Sequence, residues 1–282
     1  MQYRPAVLLA GCGDIAQRLA LLLHQDYQLT GLRRHPENLP TYITPLAADL
    51  CHPASIEQAI GNQHFDYVVV TLTPGERTEA RYKQIYVEGT QHLLASLQGR
   101  PRVLFVSSTS VYAQDQGERV DENSPAVGNG FSGKCLLEAE SAINTSGLPA
   151  TCVRFSGIYG PGRERLIRMV REQRVDSADA HHFSNRIHAD DCARVLAFLI
   201  ERWEDGTAPS PTYIASDTQP TQSGHVWQWL SDTMHVQRCF PDASWQQRQP
   251  AGKRCDSGQL QKQGFHFLYP DFMSGYQTLL AH

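Results

Sequence analysis

The sequence lacks several features that would mark a protein for particular tasks. None of its seven cysteines lies in a CxxC pair, which excludes the commonest zinc and redox motifs. Their scattered positions and odd number indicate reduced thiols rather than a disulfide framework, and no metal site is predicted. Every apolar run stays below the eighteen or so residues that a membrane-spanning helix needs.

Positive charge is also scarce. The chain has 25 Lys and Arg against 29 Asp and Glu, a formal net charge of −4, and no run of basic residues. This balance argues against a nucleic-acid partner, because binding to a phosphate backbone needs a clustered positive surface. Since no apolar run is long enough to span a membrane, we expect no membrane partner either. The short apolar run near the N-terminus leads into glycines rather than a cleavage site. We therefore expect a cytoplasmic protein that acts on a small molecule.

What the sequence does contain is an alternation of apolar runs and helical periodicity over its first 155 residues. This rhythm predicts an α/β fold, a Rossmann-type doubly wound parallel sheet with helices on both faces. Beyond residue 155 the pattern loosens, with a helix near 190–203 and a strand near 213–215, so we expect a first domain at 1–155 and a smaller C-terminal region at 156–282 that interleaves with it. The predicted strands of the first domain are 6–10, 28–32, 67–72, 103–107 and 151–155, and its clearest helices are 15–24 and 78–97.

A glycine turn follows the first strand and opens the first helix. Residues 11–16 read GCGDIA, the GxGxxG/A pattern in which one glycine permits a tight turn and the next lets the backbone approach a pyrophosphate. A phosphate would then lie on the free N–H groups of the helix N-terminus. Gly11, Gly13, Asp14 and Ile15 are therefore candidate cofactor-binding residues. The alternative is a plain strand-to-helix turn.

Two arginines stand where the second strand ends. Dinucleotide-binding folds that prefer NAD place an acidic residue about there, whereas this chain has Arg33 and Arg34. A guanidinium can pair bidentately with a 2′-phosphate, which favours NADP(H) and leaves NAD open. The alternative interpretation is that both arginines are solvated residues of a turn.

Five further motifs lie along the chain. They are ADL at 48–50, YVEGT at 86–90, VSSTSVY at 106–112, RFSGIYGPGR at 154–163 and RIHADD at 186–191. With the glycine turn they make the sequence resemble an extended short-chain dehydrogenase/reductase, the superfamily that includes the NAD-dependent epimerases and dehydratases. The resemblance covers nearly the whole chain and implies an NAD(P)-binding first domain and a substrate-binding C-terminal region.

The resemblance also assigns roles to residues. It implies that Ser108 is the catalytic serine and that Lys134 acts in catalysis and holds the ribose hydroxyls, although Ser107 and Ser108 could instead be a strand-end pair that satisfies backbone groups. It implies substrate contacts for Thr109, Tyr159 and Arg163. The further cofactor contacts that it implies are Asp49, Leu50, Leu72, Thr73, Ser107, Phe155 and Ile158.

One position departs from the superfamily. Its members place a tyrosine four residues before the lysine, because the ammonium lowers the pKa of the phenol and lets it exchange a proton with the substrate. That position here is Gly130, and the neighbouring Phe131 has no hydroxyl. The sequence thus resembles an atypical branch that lacks the active-site tyrosine.

Two functions follow from these observations. The first is an NAD(P)-dependent oxidoreductase or epimerase that acts on a small polar substrate such as a sugar nucleotide. The second is a dinucleotide-sensing or scaffold protein that has kept the pocket and lost turnover. Folds of this kind often form homodimers through a four-helix bundle, which here would use the helices at 78–97 and 134–146.

Overall fold

A computed structural model of the chain describes residues 3–239 and 244–281. The chain forms two compact units, each built from separate stretches. Unit 1 comprises Met1–Val111, Ala126–Arg154 and Ala193–Tyr213, and unit 2 comprises Tyr112–Pro125, Phe155–Cys192 and Ile214–His282. One of the points where the chain passes from unit 1 to unit 2 lies between Arg154 and Phe155, and the domain bounds given from the sequence stay a prediction.

The strands and helices alternate along the chain. The strands are β1 (Ala6–Ala10), β2 (Gln28–Arg33), β3 (Ile43–Ala47), β4 (Tyr67–Val70), β5 (Arg102–Ser108), β6 (Gln116–Val120), β7 (Ala150–Phe155), β8 (Gly157–Tyr159), β9 (Phe183–Ser184), β10 (Arg186–His188), β11 (Thr212–Ala215), β12 (Thr221–Gln222) and β13 (Gly252–Cys255). The helices are α1 (Asp14–Leu23), α2 (Pro53–Ile60), α3 (Glu79–Tyr82), α4 (Gly89–Ser96), α5 (Gly130–Thr145), α6 (Arg165–Arg171), α7 (Ala189–Glu204), α8 (Ser223–Thr233), α9 (Gly258–Lys262) and α10 (Phe272–Leu280).

Seven strands form one large sheet in the order β11-β7-β5-β4-β1-β2-β3. Strand β1 pairs in parallel with both β2 and β4, and the same direction continues from β2 to β3 and from β4 to β5. The predicted Rossmann-type α/β fold is confirmed. Because the order reverses between β1 and β4, a topological switch point lies there, and ligands of such sheets bind outside the carboxyl ends of the strands at that point.

Burial explains why the central strands and the first helix form. Strand β4 is buried along its whole length, and β1 is buried over its last four residues, as expected for parallel strands covered on both faces. Helix α1 buries Ile15, Leu19 and Leu23, which recur every fourth residue and so face the sheet together. Each of these elements was recognisable from apolar pattern alone.

Two features of unit 1 differ from the sequence-based expectation. The helix predicted at 78–97 is α3, then a wider π-helical segment at Lys83–Glu88, and then α4. Strand β3 was not predicted, because Pro45 lies inside it; proline is tolerated there since β3 is the last strand in the sheet order and an edge strand can lose a ladder hydrogen bond.

Unit 2 has small pairings instead of a large sheet. Strand β8 pairs in parallel with β10, β9 pairs antiparallel with β12, and β13 pairs in parallel with β6. Aromatic and aliphatic side chains form its core, among them Tyr159, Trp227, Trp245, Phe272 and Tyr276. Across the described ranges of both units, no helix is long and apolar enough to cross a membrane.

Candidate functional site

A pocket of 230 Å³ lies at the carboxyl ends of the first four sheet strands in chain order, within unit 1. Its volume is below the roughly 300–1,000 Å³ of sites for drug-sized ligands, so it suits one end of a dinucleotide. The loops that line it follow β1 and β4, which flank the switch point, and β2 and β3, which lie further out on the side of β1. The lining residues are Gly11, Cys12, Gly13, Leu32, Arg33, Arg34, His35, Ala48, Asp49, Leu50, Thr71, Leu72, Thr73, Arg81 and Ile85.

The fold itself requires glycine at position 11. Its φ of +83° lies in the left-handed region, and a Cβ on it would be 2.8 Å from the Thr71 carbonyl oxygen. The Thr71 hydroxyl donates to the Gly11 carbonyl at 2.7 Å, and the Gly11 N–H donates to the Leu32 carbonyl at 2.9 Å. The turn therefore binds β1 to its two neighbours and cannot accept a side chain without strain.

Gly13 has no such internal reason. Its φ is −94°, which any residue adopts, and a Cβ on it would come no closer than 3.8 Å to any neighbouring atom. It is the N-cap of α1 and offers no side-chain cap, so the first N–H groups of the helix face outward without a capping oxygen. The space that a Cβ on Gly13 would fill is thus open. We call this space the cradle, and it fits a phosphate group.

The charges of the pocket are mainly positive. Arg33 donates to the Cys12 carbonyl at 3.3 Å, which fixes its side chain across the glycine turn, and Arg34 is exposed beside it. Burial alone would raise the pKa of Asp49, but the backbone N–H of Cys51, then the Cys51 thiol, Arg34 and His52, together hold that pKa below its usual value. Asp49 is therefore ionised near neutral pH and balances only part of the positive charge.

Sequence reasoning missed a third arginine. Arg81 lines the pocket from α3, and its side chain is fixed by bonds to the Pro74 carbonyl at 3.2 Å and the Cys51 sulfur at 3.3 Å. Nothing in the local pattern distinguishes it from other helix-surface arginines. Thr71 was also missed, although its position directly after the buried β4 could have indicated a role at the strand end.

Eight of the predicted cofactor residues line this pocket, and two of their neighbours do not. Asp14 begins α1 and pairs with Arg18 at 2.8 Å, while Ile15 is buried under the helix. The pocket lining includes neither, and their predicted cofactor contacts stay predictions. The eight that line it are Gly11, Gly13, Arg33, Arg34, Asp49, Leu50, Leu72 and Thr73.

Ser107 takes part in a buried ion-pair network. Its hydroxyl donates to Glu140 at 2.6 Å, and Glu140 also accepts two bonds from Arg154, at 3.0 and 2.6 Å. All three residues are less than 9% exposed. The network joins β5, α5 and β7, so the hydroxyl of Ser107 is used inside the fold, and its predicted contact with a cofactor stays a prediction.

Ser108 and Lys134 lie on segments that pack against each other. Ser108 ends β5 and accepts a bond from the Ser110 backbone N–H at 3.1 Å, which leaves its own hydrogen to donate. A Cβ on Gly133 would be 2.6 Å from the Ser110 carbonyl oxygen, so the first turn of α5 lies directly on the turn after Ser108. Lys134 follows Gly133 and is exposed, and the buried Thr109 begins the turn after Ser108.

The position four residues before Lys134 is conformationally unusual. Gly130, the first residue of α5, has a φ of +73°, and a Cβ there would meet nothing within 4 Å. The backbone therefore favours glycine at this point although space for a side chain exists.

The remaining predicted residues belong to unit 2. Phe155 and Ile158 lie at the end of β7 and in β8, and Arg163 is exposed just before α6. Tyr159 is a core residue, 4% exposed, and its ring packs on Tyr276 with centroids 4.5 Å apart. Burial raises the pKa of its phenol. The predicted cofactor and substrate contacts of these four residues stay predictions.

Comparisons with known proteins point to one family. A family model described as the NAD dependent epimerase/dehydratase family matches residues 13–215. A solved structure of a candidate NAD-dependent epimerase/dehydratase from Methylobacillus flagellatus is similar, with 35% identity, a TM-score of 0.86 and coverage of 99% of this chain and 98% of that one.

Two more distant structures share the fold and contain cofactors. UDP-glucose 4-epimerase from Brucella ovis, in complex with NAD, has 18% identity and a TM-score of 0.74 over 98% of this chain and 97% of that one. Human epimerase family protein SDR39U1 (isoform 2), with NADPH, has 17% identity and a TM-score of 0.76 over 98% and 97%. At these identities the likeness concerns the fold alone.

Proposed function

The chain belongs to the NAD-dependent epimerase/dehydratase family, and we propose that it binds a nicotinamide dinucleotide at the glycine turn and uses it in an oxidoreductase or epimerase reaction. The substrate is a small polar molecule such as a sugar nucleotide. The observation that carries the proposal is the open cradle at Gly13, a glycine that the fold does not itself require, in a pocket lined by three arginines at the switch point of the sheet.

Each part of the dinucleotide has residues suited to it. The N–H groups at the start of α1 would hold the pyrophosphate, Asp49 and Leu50 would border the adenine, and Leu72 and Thr73 would line the next part of the cofactor. When bound, the nicotinamide supplies hydride transfer. The chain would orient the substrate oxygen through the Ser108 hydroxyl and the ribose through Lys134.

Without a phenol at position 130, the chain lacks the usual group for acid–base catalysis. General acid–base help contributes about 10²- to 10⁴-fold in rate, and orientation of the reacting groups contributes separately. We propose that hydride transfer persists without the usual tyrosine. The left-handed backbone of Gly130 also means that a Gly130→Tyr substitution would strain the start of α5, so restoring the phenol at that position is a poor test.

Turnover tests the catalytic part of the proposal. With NADPH and a panel of sugar nucleotides and simple carbonyl compounds, we expect loss of cofactor absorbance or formation of an epimer. The Ser108→Ala variant should lower the rate by about 10²- to 10³-fold, the usual effect of removing one aligned hydrogen-bond donor, with unchanged NADPH affinity. Ser141→Ala, an exposed serine of α5, should match the wild type. Tight NADPH binding with no turnover of any substrate would support the sensor function instead.

We also propose that the preferred form of the cofactor is NADP(H). Arg33, the last residue of β2, and Arg34, directly after it, line the pocket where the adenosine ribose lies in folds of this type. A 2′-phosphate there would gain charge-assisted hydrogen bonds that NAD cannot make.

Calorimetric titration tests this preference. Arg34→Ala should weaken NADPH binding by about ten- to one-hundredfold, because one charge-assisted bond is lost, and should leave NADH affinity within about twofold. Gly13→Ala should weaken both cofactors while leaving the melting temperature unchanged, since its backbone angles suit alanine. Arg77→Ala, an exposed arginine outside the pocket, is the control. Equal losses of NADPH and NADH affinity in Arg34→Ala would contradict the assignment of the 2′-phosphate.

A further inference from the structure

Unit 2 contains a cavity of 430 Å³ that the proposed chemistry does not use. We name it the Asp217 cavity, after a residue of the loop that follows β11. The side chains that matter to its chemistry are Arg119, Phe183, Asp217, Arg254, Asp256 and Ser257. Its volume lies in the range of small-molecule binding sites.

Asp217 has unused capacity to accept hydrogen bonds. The residue lines the cavity but is only 2% exposed. Among the described residues, the one hydrogen bond to its carboxyl group comes from the Gln219 backbone N–H, at 3.3 Å. An ionised carboxylate has about four acceptor sites, and buried ones are normally well satisfied. Asp217 therefore provides an acceptor for a donor group placed in the cavity.

Two arginines provide the positive charge of the cavity. Arg254 donates through Nε to the Gly117 carbonyl at 2.7 Å, and its guanidinium lies 5.3 Å from the centroid of the Phe183 ring. Arg119 donates through Nε to Asp256 at 2.9 Å. Each of these bonds uses one of the five N–H donors of a guanidinium, so both arginines can still bind an oxyanion.

Asp217 can accept a hydrogen bond from a ligand hydroxyl. Burial raises the pKa of Asp217 to about 7; the neighbouring Arg186 opposes that rise, and the Asp271 and Asp191 carboxylates add to it. Above that pH the carboxyl group is ionised, and a neutral hydroxyl can donate to it without bringing a further charge into surroundings that already hold charges of both signs.

We propose that the Asp217 cavity binds a small hydroxylated organic anion, a sugar phosphate or a sugar acid, whose hydroxyl donates to Asp217 and whose anionic group accepts from Arg119 and Arg254. The shared chemistry is a polyol that carries a phosphate or a carboxylate. The site lies entirely in unit 2, and its occupancy is measured by binding alone, so it holds or fails independently of dinucleotide turnover.

Calorimetric titration of the full chain at pH 8, without dinucleotide, tests the proposal. The probes are glucose 6-phosphate, gluconate, glucose and inorganic phosphate. We expect glucose 6-phosphate or gluconate to bind at least about tenfold more tightly than glucose or inorganic phosphate, since each of these lacks one of the two recognised groups. Tighter binding of glucose 6-phosphate would identify a phosphate as the anionic group that the cavity recognises, and tighter binding of gluconate would identify a carboxylate.

Matched variants locate the binding. Arg119→Gln and Asp217→Asn should each weaken the bound probe by about ten- to one-hundredfold. Arg174→Gln is the control, because Arg174 is as exposed as Arg119 and is also paired with an acid, Glu172, at 3.1 Å. Circular dichroism checks that the variants fold. The proposal is overturned if no probe binds at concentrations up to about 10 mM, which exceeds the range of ordinary metabolite affinities. It is also overturned if Arg174→Gln weakens binding as much as Arg119→Gln, or if neither cavity variant changes the affinity for the probe.

Discussion

Replacing Glu140 by glutamine is expected to lower the free energy of unfolding by about 3–5 kcal/mol, the usual cost of removing one partner from a buried ion pair. Glu140 is 4% exposed and accepts bonds from Arg154 and Ser107. Glutamine keeps the shape but removes the negative charge that Glu140 places against the buried Arg154 guanidinium. Urea unfolding followed by circular dichroism measures the change.

The same helix supplies the control for this experiment. Glu138 is exposed, two residues before Glu140 on α5, and Glu138→Gln should stay within about 0.5 kcal/mol of the wild type. A double variant, Glu140→Leu with Arg154→Met, should recover part of the loss because neither charge of this pair remains buried. A Glu140→Gln variant as stable as Glu138→Gln would show that the network does not stabilise the fold.

The second large effect is a pH-dependent stability that originates from Asp217. Burial raises the pKa of its carboxyl group from 3.8 to about 7, partly opposed by Arg186. Between these two values the folded chain keeps a proton that the unfolded chain has lost, so stability falls as pH rises. The shift spans about three pH units, which corresponds to a loss of about 4 kcal/mol between pH 4 and pH 8.

The Asp217→Asn variant isolates this contribution. Asparagine stays neutral, as the protonated carboxyl group does, so the variant should match the wild type below about pH 4 and exceed it at pH 8 by about 4 kcal/mol. The quantity to measure is the difference in unfolding free energy between variant and wild type, from urea titrations at each pH. Asp26→Asn, at an exposed aspartate, should show no such trend. A difference between Asp217→Asn and wild type that does not vary with pH would contradict the buried-carboxyl account.

Local pattern predicted those elements whose burial can be read from neighbouring residues. Strand β1 was predicted to the residue, because AVLLA is a continuous apolar run and the glycine turn ends it. The π-helical segment at Lys83–Glu88 was not predicted, since a wider helix has nearly the same apolar spacing as an α-helix. The pairing of β6 with β13 joins residues more than a hundred positions apart, and no local pattern contains that information.

The residues of the candidate site could likewise be predicted only in part from local sequence. Gly13 and Arg33 follow from the positions of the first two strands, whereas Asp49 follows a strand that was not predicted and came from the family resemblance. Arg81 follows from neither, because its side chain reaches the pocket from a helix and is directed there by Pro74 and Cys51. The family resemblance implied a cofactor contact for Ser107, which stays a prediction; the hydrogen bond from its hydroxyl to Glu140 on α5 could not be predicted from local sequence.

The sequence by itself determined the α/β architecture, the glycine turn and the arginine pair after the second strand, because each depends on residues close together in the chain. Only the tertiary structure decided which polar side chains are used inside the fold and which remain available, as Ser107 and Asp217 illustrate. The physical reason is that burial and hydrogen-bond partners are set by segments distant in sequence, and these determine whether a carboxyl group or hydroxyl can still bind a ligand.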